Sequence, residues 1–195
     1  MRVVGGKWGG MPLESPEGRG VTRPTTDRNR EAMASMILSA RGLNLEGFSV
    51  LDAFAGSGAM GIELLSRGAA RCTFIDQDAR AAARVRRNLA KVGAEKGAYA
   101  VLRGDACQLA ERGRIAGAPF DVVFLDPPYA LPASVVSAML VHLYAQDALR
   151  PEAIVVYERS ADAPALNVPG LIPVRTKRYG ITCVDLLMAK GQDVD

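Results

Sequence analysis

Asp126-Pro127-Pro128-Tyr129 directly follows the apolar run Phe120-Asp121-Val122-Val123-Phe124-Leu125, which sets a carboxylate, a rigid turn and an aromatic ring at the mouth of a buried strand. These residue types suit one chemistry: holding a planar nucleobase by its exocyclic amino group while the nitrogen takes a methyl. Asp126 can accept one amino hydrogen and the Pro127 carbonyl the other, because both prolines lack an N–H and hold the chain in an extended turn. Tyr129 can stack on the ring, a contact worth about 1–3 kcal/mol per base. The bland alternative is a strand that ends in a proline turn. The full tetrapeptide behind an apolar strand favours the chemical reading.

A second constellation is Val50-Leu51-Asp52-Ala53-Phe54-Ala55-Gly56-Ser57-Gly58-Ala59-Met60-Gly61, a strand, a glycine turn and a helix start. Gly56, Gly58 and Gly61 satisfy G-x-G-x-x-G, the dinucleotide fingerprint, which brings a pyrophosphate to a helix N-terminus. Asp52 at the strand tip argues against a pyrophosphate, which it would repel. It suits S-adenosylmethionine, whose sulfonium and ammonium groups are attracted by negative charge. Phe54, Gly56, Ser57 and Gly58 are then expected against that cofactor. Asp76 ends a second strand and is placed for ribose hydroxyls, with Gln77 beside it. Asp105 and Ala106 follow a third strand; Asp105 can hold the adenine amino group or cap the next helix, and Asp78 is expected to be a cap. Four strand tips thus carry carboxylates at the carboxyl edge, where open α/β sheets bind ligands.

Those tips need a scaffold, and 195 residues with 49% hydrophobic content suffice for one domain. No signal-peptide pattern and no apolar run of membrane-spanning length is visible, so a cytoplasmic location without membrane contact is expected. Cys72, Cys107 and Cys183 are far apart and form no Cys-x-x-Cys pair, so neither a disulfide framework nor a metal site is expected, and they read as small buried hydrophobes. Net charge is only +3, but residues 1–30 hold six basic side chains (Arg2, Lys7, Arg19, Arg23, Arg28, Arg30) against three acidic ones. His142, the only histidine, lies in an apolar helical stretch and is assigned no catalysis.

Residues 1–23 read as a glycine-rich, hairpin-like arm in which Arg2-Val3-Val4 pairs with Arg19-Gly20-Val21-Thr22. Thr25 or Thr26 caps a helix running to about Ala40. Strands are expected near 48–53, 71–76, 98–103, 120–126 and 152–157, with helices near 58–68, 78–93, 105–113 and 133–147. This alternation builds a parallel sheet covered on both faces. Val174 to Lys177 and Ile181 to Met188 read as a closing antiparallel pair. The domain is expected over 24–190, with 191–195 as a flexible tail.

With these residues in hand, the chain resembles a class I methyltransferase with a Rossmann-like α/β fold, and specifically the RsmD family that methylates guanine N2 in 16S ribosomal RNA. Arg2-Val3-Val4-Gly5-Gly6-Lys7-Trp8-Gly9-Gly10 is similar to the family's opening arm. Arg23-Pro24-Thr25-Thr26-Asp27-Arg28 followed by Arg30-Glu31 matches its most distinctive segment, which in the family lies by the cofactor's methionine end. Asp52 to Gly61 and Asp126 to Tyr129 match its cofactor and catalytic motifs, and Tyr179-Gly180 recurs before its last strand. The resemblance implies that Arg23, Thr25 and Thr26 join the cofactor site and that Arg2, Lys7, Trp8, Arg28 and Arg30 grip RNA of the small ribosomal subunit. Asp76 stands where many relatives carry Glu, Gly10 where the arm often has a basic residue, and Tyr129 where some have Phe.

Three rivals follow from the same residues. The Asp-Pro-Pro-Tyr geometry also serves a DNA adenine-N6 or cytosine-N4 methyltransferase, although the chain lacks room for a separate target-recognition domain. A dinucleotide-dependent oxidoreductase and a catalytically silent RNA-binding module are the others. A monomer is expected.

Overall fold

The computed structural model describes residues 1–16, 27–113 and 115–191. Five strands alternate with helices: β1 (Ser49–Asp52), α2 (Ala59–Ser66), β2 (Arg71–Asp76), α3 (Ala79–Lys91), β3 (Tyr99–Arg103), α4 (Ala106–Glu111), β4 (Phe120–Leu125), α5 (Ala133–Ala145) and β5 (Leu149–Ser160). They follow α1 (Asp27–Ala40), and β6 (Leu171–Tyr179) and β7 (Thr182–Ala189) complete the order. The seven strands form one sheet, β3-β2-β1-β4-β5-β7-β6. Neighbours from β3 to β5 are parallel, whereas β7 runs antiparallel to both β5 and β6.

The period-two alternation of side chains explains the layers. Val50, Val122, Phe124, Ile154, Val156 and Val184 turn to one face, where Met33 and Ile37 of α1, Ile62 and Leu65 of α2 and Val85 and Leu89 of α3 cover them. Leu51, Ile75, Val123, Leu125, Val155 and Leu187 turn to the other, under Ala106 and Ala110 of α4 and Val136, Met139, Leu140 and Leu143 of α5. The central strands are therefore buried on both faces; β4 is buried at all six positions, and its one polar side chain, Asp121, accepts from Ser49 N–H at 2.8 Å.

Two strands are longer than the sequence pattern implies. β5 begins at Leu149 because its register against β4 shifts between Phe120 and Val122, and Glu152 takes φ +61° there. A bulge absorbs Pro151-Glu152, so the strand extends N-terminal to the expected 152–157. β6 begins at Leu171 because Pro173 lies on the outer strand, where a missing N–H interrupts no inner ladder.

The arm departs from expectation within its described part. Arg2 pairs with Pro12, and Val3 N–H donates to the Met11 carbonyl at 2.9 Å. A 3-10 turn over Gly6–Trp8 reverses the chain within ten residues, so 2–4 find their partner in 10–13; the expected partner, 19–22, lies outside the described residues. The arm is held on the domain by buried polar groups. Glu63, fully buried, accepts from Val4 N–H at 2.7 Å and Gly5 N–H at 2.8 Å, and Ser66 Oγ accepts from Trp8 N–H at 2.9 Å. Asn88 accepts from Glu14 N–H and donates to the carbonyls of Glu14 and Ser57, which joins the arm to the glycine turn.

Candidate active site

The parallel strands end together on one edge, and a cavity of about 560 Å³ opens there. Its volume falls within the range of small-molecule sites. Asp52, Phe54, Gly56, Ser57, Asp76, Gln77, Asp105, Ala106 and the whole of Asp126 to Tyr129 line it. Residues from four strand tips thus meet because parallel strands share a carboxyl edge.

Asp52 is buried at the tip of β1, and its Oδ2 accepts from Gly61 N–H at 3.0 Å. Burial pushes its carboxyl up to about 7; the Gly61 bond works against that rise, while Asp126 and Asp76 add to it. Asp126 is pushed up to about 6 by burial. Among the described residues neither the Asp126 carboxylate nor the Pro127 carbonyl accepts a hydrogen bond, so both acceptors are open to a ligand. The Pro128 carbonyl is used instead, by Leu131 N–H at 2.8 Å. Tyr129 is 62% exposed, its ring bare.

Asp76 is braced by two amides: Gly56 N–H reaches Oδ2 at 2.8 Å and Asp78 N–H reaches Oδ1 at 2.9 Å. The first bond holds the glycine turn against the tip of β2. Asp105 caps α4 by accepting from Cys107 N–H at 2.8 Å and Gln108 N–H, all through Oδ1. Asp78 caps α3.

Several expectations change. Gly58 does not border the cavity: it takes φ +75°, and a side chain there would press on Val85 at 3.1 Å, so it serves the turn and the packing of α3. Gly61 likewise serves packing, since a Cβ would strike the Phe74 ring and Cys72 Sγ. Cys107 is only partly buried and lines the cavity, where burial and Asp105 raise its thiol pKa; Cys72 and Cys183 are buried.

Arg30 is corrected more strongly. It is 1% exposed, so it has no surface with which to grip an RNA backbone. Nη2 donates to the Arg2 carbonyl at 2.5 Å and to Asp27 at 2.6 Å, and Nε and Nη1 are buried without a hydrogen-bond partner. Arg30 lines the cavity, its charge paired with Asp27 through Nη2 and its Nε and Nη1 left as two buried donors for a ligand acceptor. Arg28 is exposed, and Arg2 pairs with Asp27 at 3.3 Å. Lys7 lies 4.5 Å over the Trp8 ring, whose indole packs on the core. Arg23, Thr25 and Thr26 lie outside the described residues.

Glu158, Met1 and Met33 also line the cavity and were not foreseen. Glu158 follows the expected strand 152–157 by one residue, so the rule that pointed to the other strand tips would have reached it. Met1 enters through the arm, 3.4 Å from Ser57 Oγ by its sulfur, and carried no sequence signal. Among the described residues no cluster of His, Cys, Asp and Glu could hold a metal ion, and no helix is long and apolar enough to cross a membrane.

The strand order, the antiparallel β7 and the acid-lined cavity at the carboxyl edge define the class I methyltransferase fold. Solved structures agree: "Putative methyltransferase yhhF from Escherichia coli" is 31% identical with a TM-score of 0.83, covering 98% of this chain and 99% of that one. The magnesium protoporphyrin IX methyltransferase of Synechocystis, solved with bound SAM, shares the fold at 19% identity and TM-score 0.63, covering 84% of this chain and 79% of that one. The chain belongs to the RsmD family, whose model, described as "Conserved hypothetical protein 95", matches residues 1–188. It is 35% identical to the "Putative rRNA methyltransferase YlbH" of Bacillus subtilis over 98% of this chain and all of that protein. It is 40% identical to "Ribosomal RNA small subunit methyltransferase D" of Escherichia coli K12 over 134 residues, 66% of this chain and 60% of that protein.

Proposed function

We propose that this protein transfers a methyl group from S-adenosylmethionine to the exocyclic N2 amino group of a guanine in 16S ribosomal RNA. The observation that carries the reading is the pair of open acceptors, the Asp126 carboxylate and the Pro127 carbonyl, beside an exposed Tyr129 on the rim of the acid-lined cavity. The relatives named as rRNA methyltransferases support the choice of RNA.

The cavity fits the cofactor on its own chemistry. Arg30, with Nε and Nη1 buried and unpartnered, suits the methionine carboxylate. Asp52 suits the neighbouring positive charges, Asp76 the ribose hydroxyls, and Asp105 the adenine amino group through the oxygen that does not cap α4. When bound, S-adenosylmethionine supplies an electrophilic methyl on a sulfonium.

The chain's own residues then do the positioning. A stacked, paired guanine keeps its amino group out of reach, so the base leaves the helix to enter the cavity, with Tyr129 against its face. Asp126 and the Pro127 carbonyl take the two amino hydrogens and aim the nitrogen lone pair at the methyl carbon. The new N–C bond forms as the S–C bond breaks, and the nitrogen releases one proton, for which the Asp126 carboxylate is the adjacent acceptor. Positioning and electrostatics supply the rate, with no covalent enzyme intermediate. Arg2, Lys7, Trp8 and Arg28 remain the arm and α1 contributions to RNA contact, and a cytoplasmic location follows from that substrate.

The test is transfer of labelled methyl to small ribosomal subunits, free 16S RNA, duplex DNA and single-stranded DNA, followed by nucleoside analysis. N2-methylguanosine in the ribosomal substrates is the expected product. N6-methyladenosine, N4-methylcytosine or a DNA product overturns the assignment.

A further inference from the structure

The outer strand β6 stands apart from the helical layers. Residues 172–178 are exposed in succession, on both faces of the strand. Within four residues it carries Arg175, Lys177 and Arg178, and among the described residues none of the three forms an ion pair. The carboxylate nearest in register, Asp185 opposite Thr176, is already engaged by Arg159 Nε at 2.7 Å and Thr176 Oγ1 at 2.7 Å. Arg178 donates through Nε to the Gly180 carbonyl at 2.9 Å, which leaves its terminal nitrogens outward at the turn.

Topology places these cations beside the reaction. β6 is antiparallel to β7, which is antiparallel to β5, so β6 runs with β5 and its carboxyl end shares the edge on which the cavity opens. Lys177 is in register with Val184, and Val184 with Glu158 of the cavity wall. From the tip of β4, which bears Asp126, to that of β6 is three strand spacings, roughly 14 Å. Tyr179 closes the row, its hydroxyl 4.0 Å from Met36 Sδ of α1, and Ile181 stands exposed across the turn.

We propose that the carboxyl end of β6, through Arg175, Lys177 and Arg178, is an RNA-backbone rail that takes the phosphates of the strand flanking the target nucleotide. The proposal rests on the reading of the substrate as RNA. Charged edge residues also discourage strand-to-strand aggregation, but Pro173 and the register shift beside it already interrupt this edge. Three cations on the cavity's own edge, without an ion-pair partner among the described residues, are complementary to a polyanion.

The experiment compares wild type with R175Q/K177Q/R178Q and with a control, K91Q/K96Q/R112Q, whose exposed positions lie at the opposite edge of the sheet. Filter binding to naked 16S RNA and to small subunits is measured over a salt series, with melting temperature and S-adenosylmethionine titration on each variant. The β6 variant is expected to bind naked RNA at least tenfold more weakly and to flatten the log–log salt slope by about 2, for three phosphates on a single strand. Melting temperature and cofactor affinity stay unchanged, and the control binds as wild type does. Unchanged binding by the β6 variant overturns the rail, as does an equal loss in the control. A loss confined to intact subunits makes the surface a protein contact and also overturns it. Wild type that binds RNA through β6 but transfers no methyl overturns the proposed reaction and leaves the rail standing.

Discussion

Asp52 accepts the Gly61 amide at 3.0 Å while wholly buried between β1 and α2, so one carboxylate both fastens the glycine turn and charges the cavity floor. Its carboxyl is raised to about 7. A group whose folded pKa lies above its unfolded value contributes stability that is present below the unfolded value and lost as pH rises through the folded one. The ligand-free protein should therefore lose melting temperature between about pH 4 and about pH 7, and Asp52→Asn should flatten that fall. Parallel pH profiles for the two proteins would refute the assignment.

Arg30 has two ligandless nitrogens beside the cavity, and charge-assisted hydrogen bonds of this kind are worth about 1.5–3 kcal/mol. Arg30→Met should weaken S-adenosylmethionine binding by about tenfold or more in calorimetry. Analogues lacking the carboxylate should show no such loss. An equal loss for both ligands points to collapse of the arm contact at Arg2 instead.

Among the described residues nothing donates to Asp126, so removing it should cost reaction rate more than fold. Asp126→Asn is expected to lower kcat about 10²–10³-fold, the usual scale for losing one preorganised electrostatic partner. Cofactor binding should persist. In the wild type, kcat/KM should fall below about pH 6, where the carboxyl protonates, and a flat acid limb would count against its role.

Gly61 has no room for a methyl group against Phe74 and Cys72. Gly61→Ala should destabilise the fold by about 1–3 kcal/mol, as overpacking does. Urea unfolding measures it, and an unchanged midpoint would mean that α2 can shift freely.

Glu63 answers two arm amides and Arg67 Nε, the last at 2.7 Å, from a site with no solvent. Glu63→Ala leaves those donors unpaired, at about 3–5 kcal/mol for the broken buried pair. Hydrogen exchange should accelerate at Val4 and Gly5 before the sheet exchanges. Uniform exchange would show that the arm and the domain unfold as one unit.

Much of this architecture is legible along the chain because its signals are local. Apolar runs of strand length, glycine turns and Asp caps mark β1 to β4 and the helices between them to within about two residues of the structure. The tips Asp52, Asp76, Asp105 and Asp126 are legible for the same reason: each ends a strand or follows one within two residues. β5 and β6 are less so: the expected strands begin only after Pro151 and Pro173, and sheet register alone shows that a bulge and an outer edge admit these prolines. The turn of the arm is legible, but the pairing of Arg2 with Pro12 is not, since the glycines announce a turn without naming the partner strand.

Arg30 marks where sequence reading ends. An arginine at the start of a helix reads as a solvated or phosphate-binding cation, and nothing in its neighbours says otherwise. Its burial comes from the arm folding over α1 to place the Arg2 carbonyl on its guanidinium, a contact 28 residues distant in sequence. The residue sequence by itself determined the order of elements, the row of carboxylates and the Asp-Pro-Pro-Tyr acceptor set, all carried by short-range pattern. Only the tertiary structure decided that Gly58 and Gly61 serve packing, that Glu158 and Met1 enter the cavity wall, and that the β6 cations share its edge. Those facts depend on which surfaces meet, and no spacing along the chain encodes that.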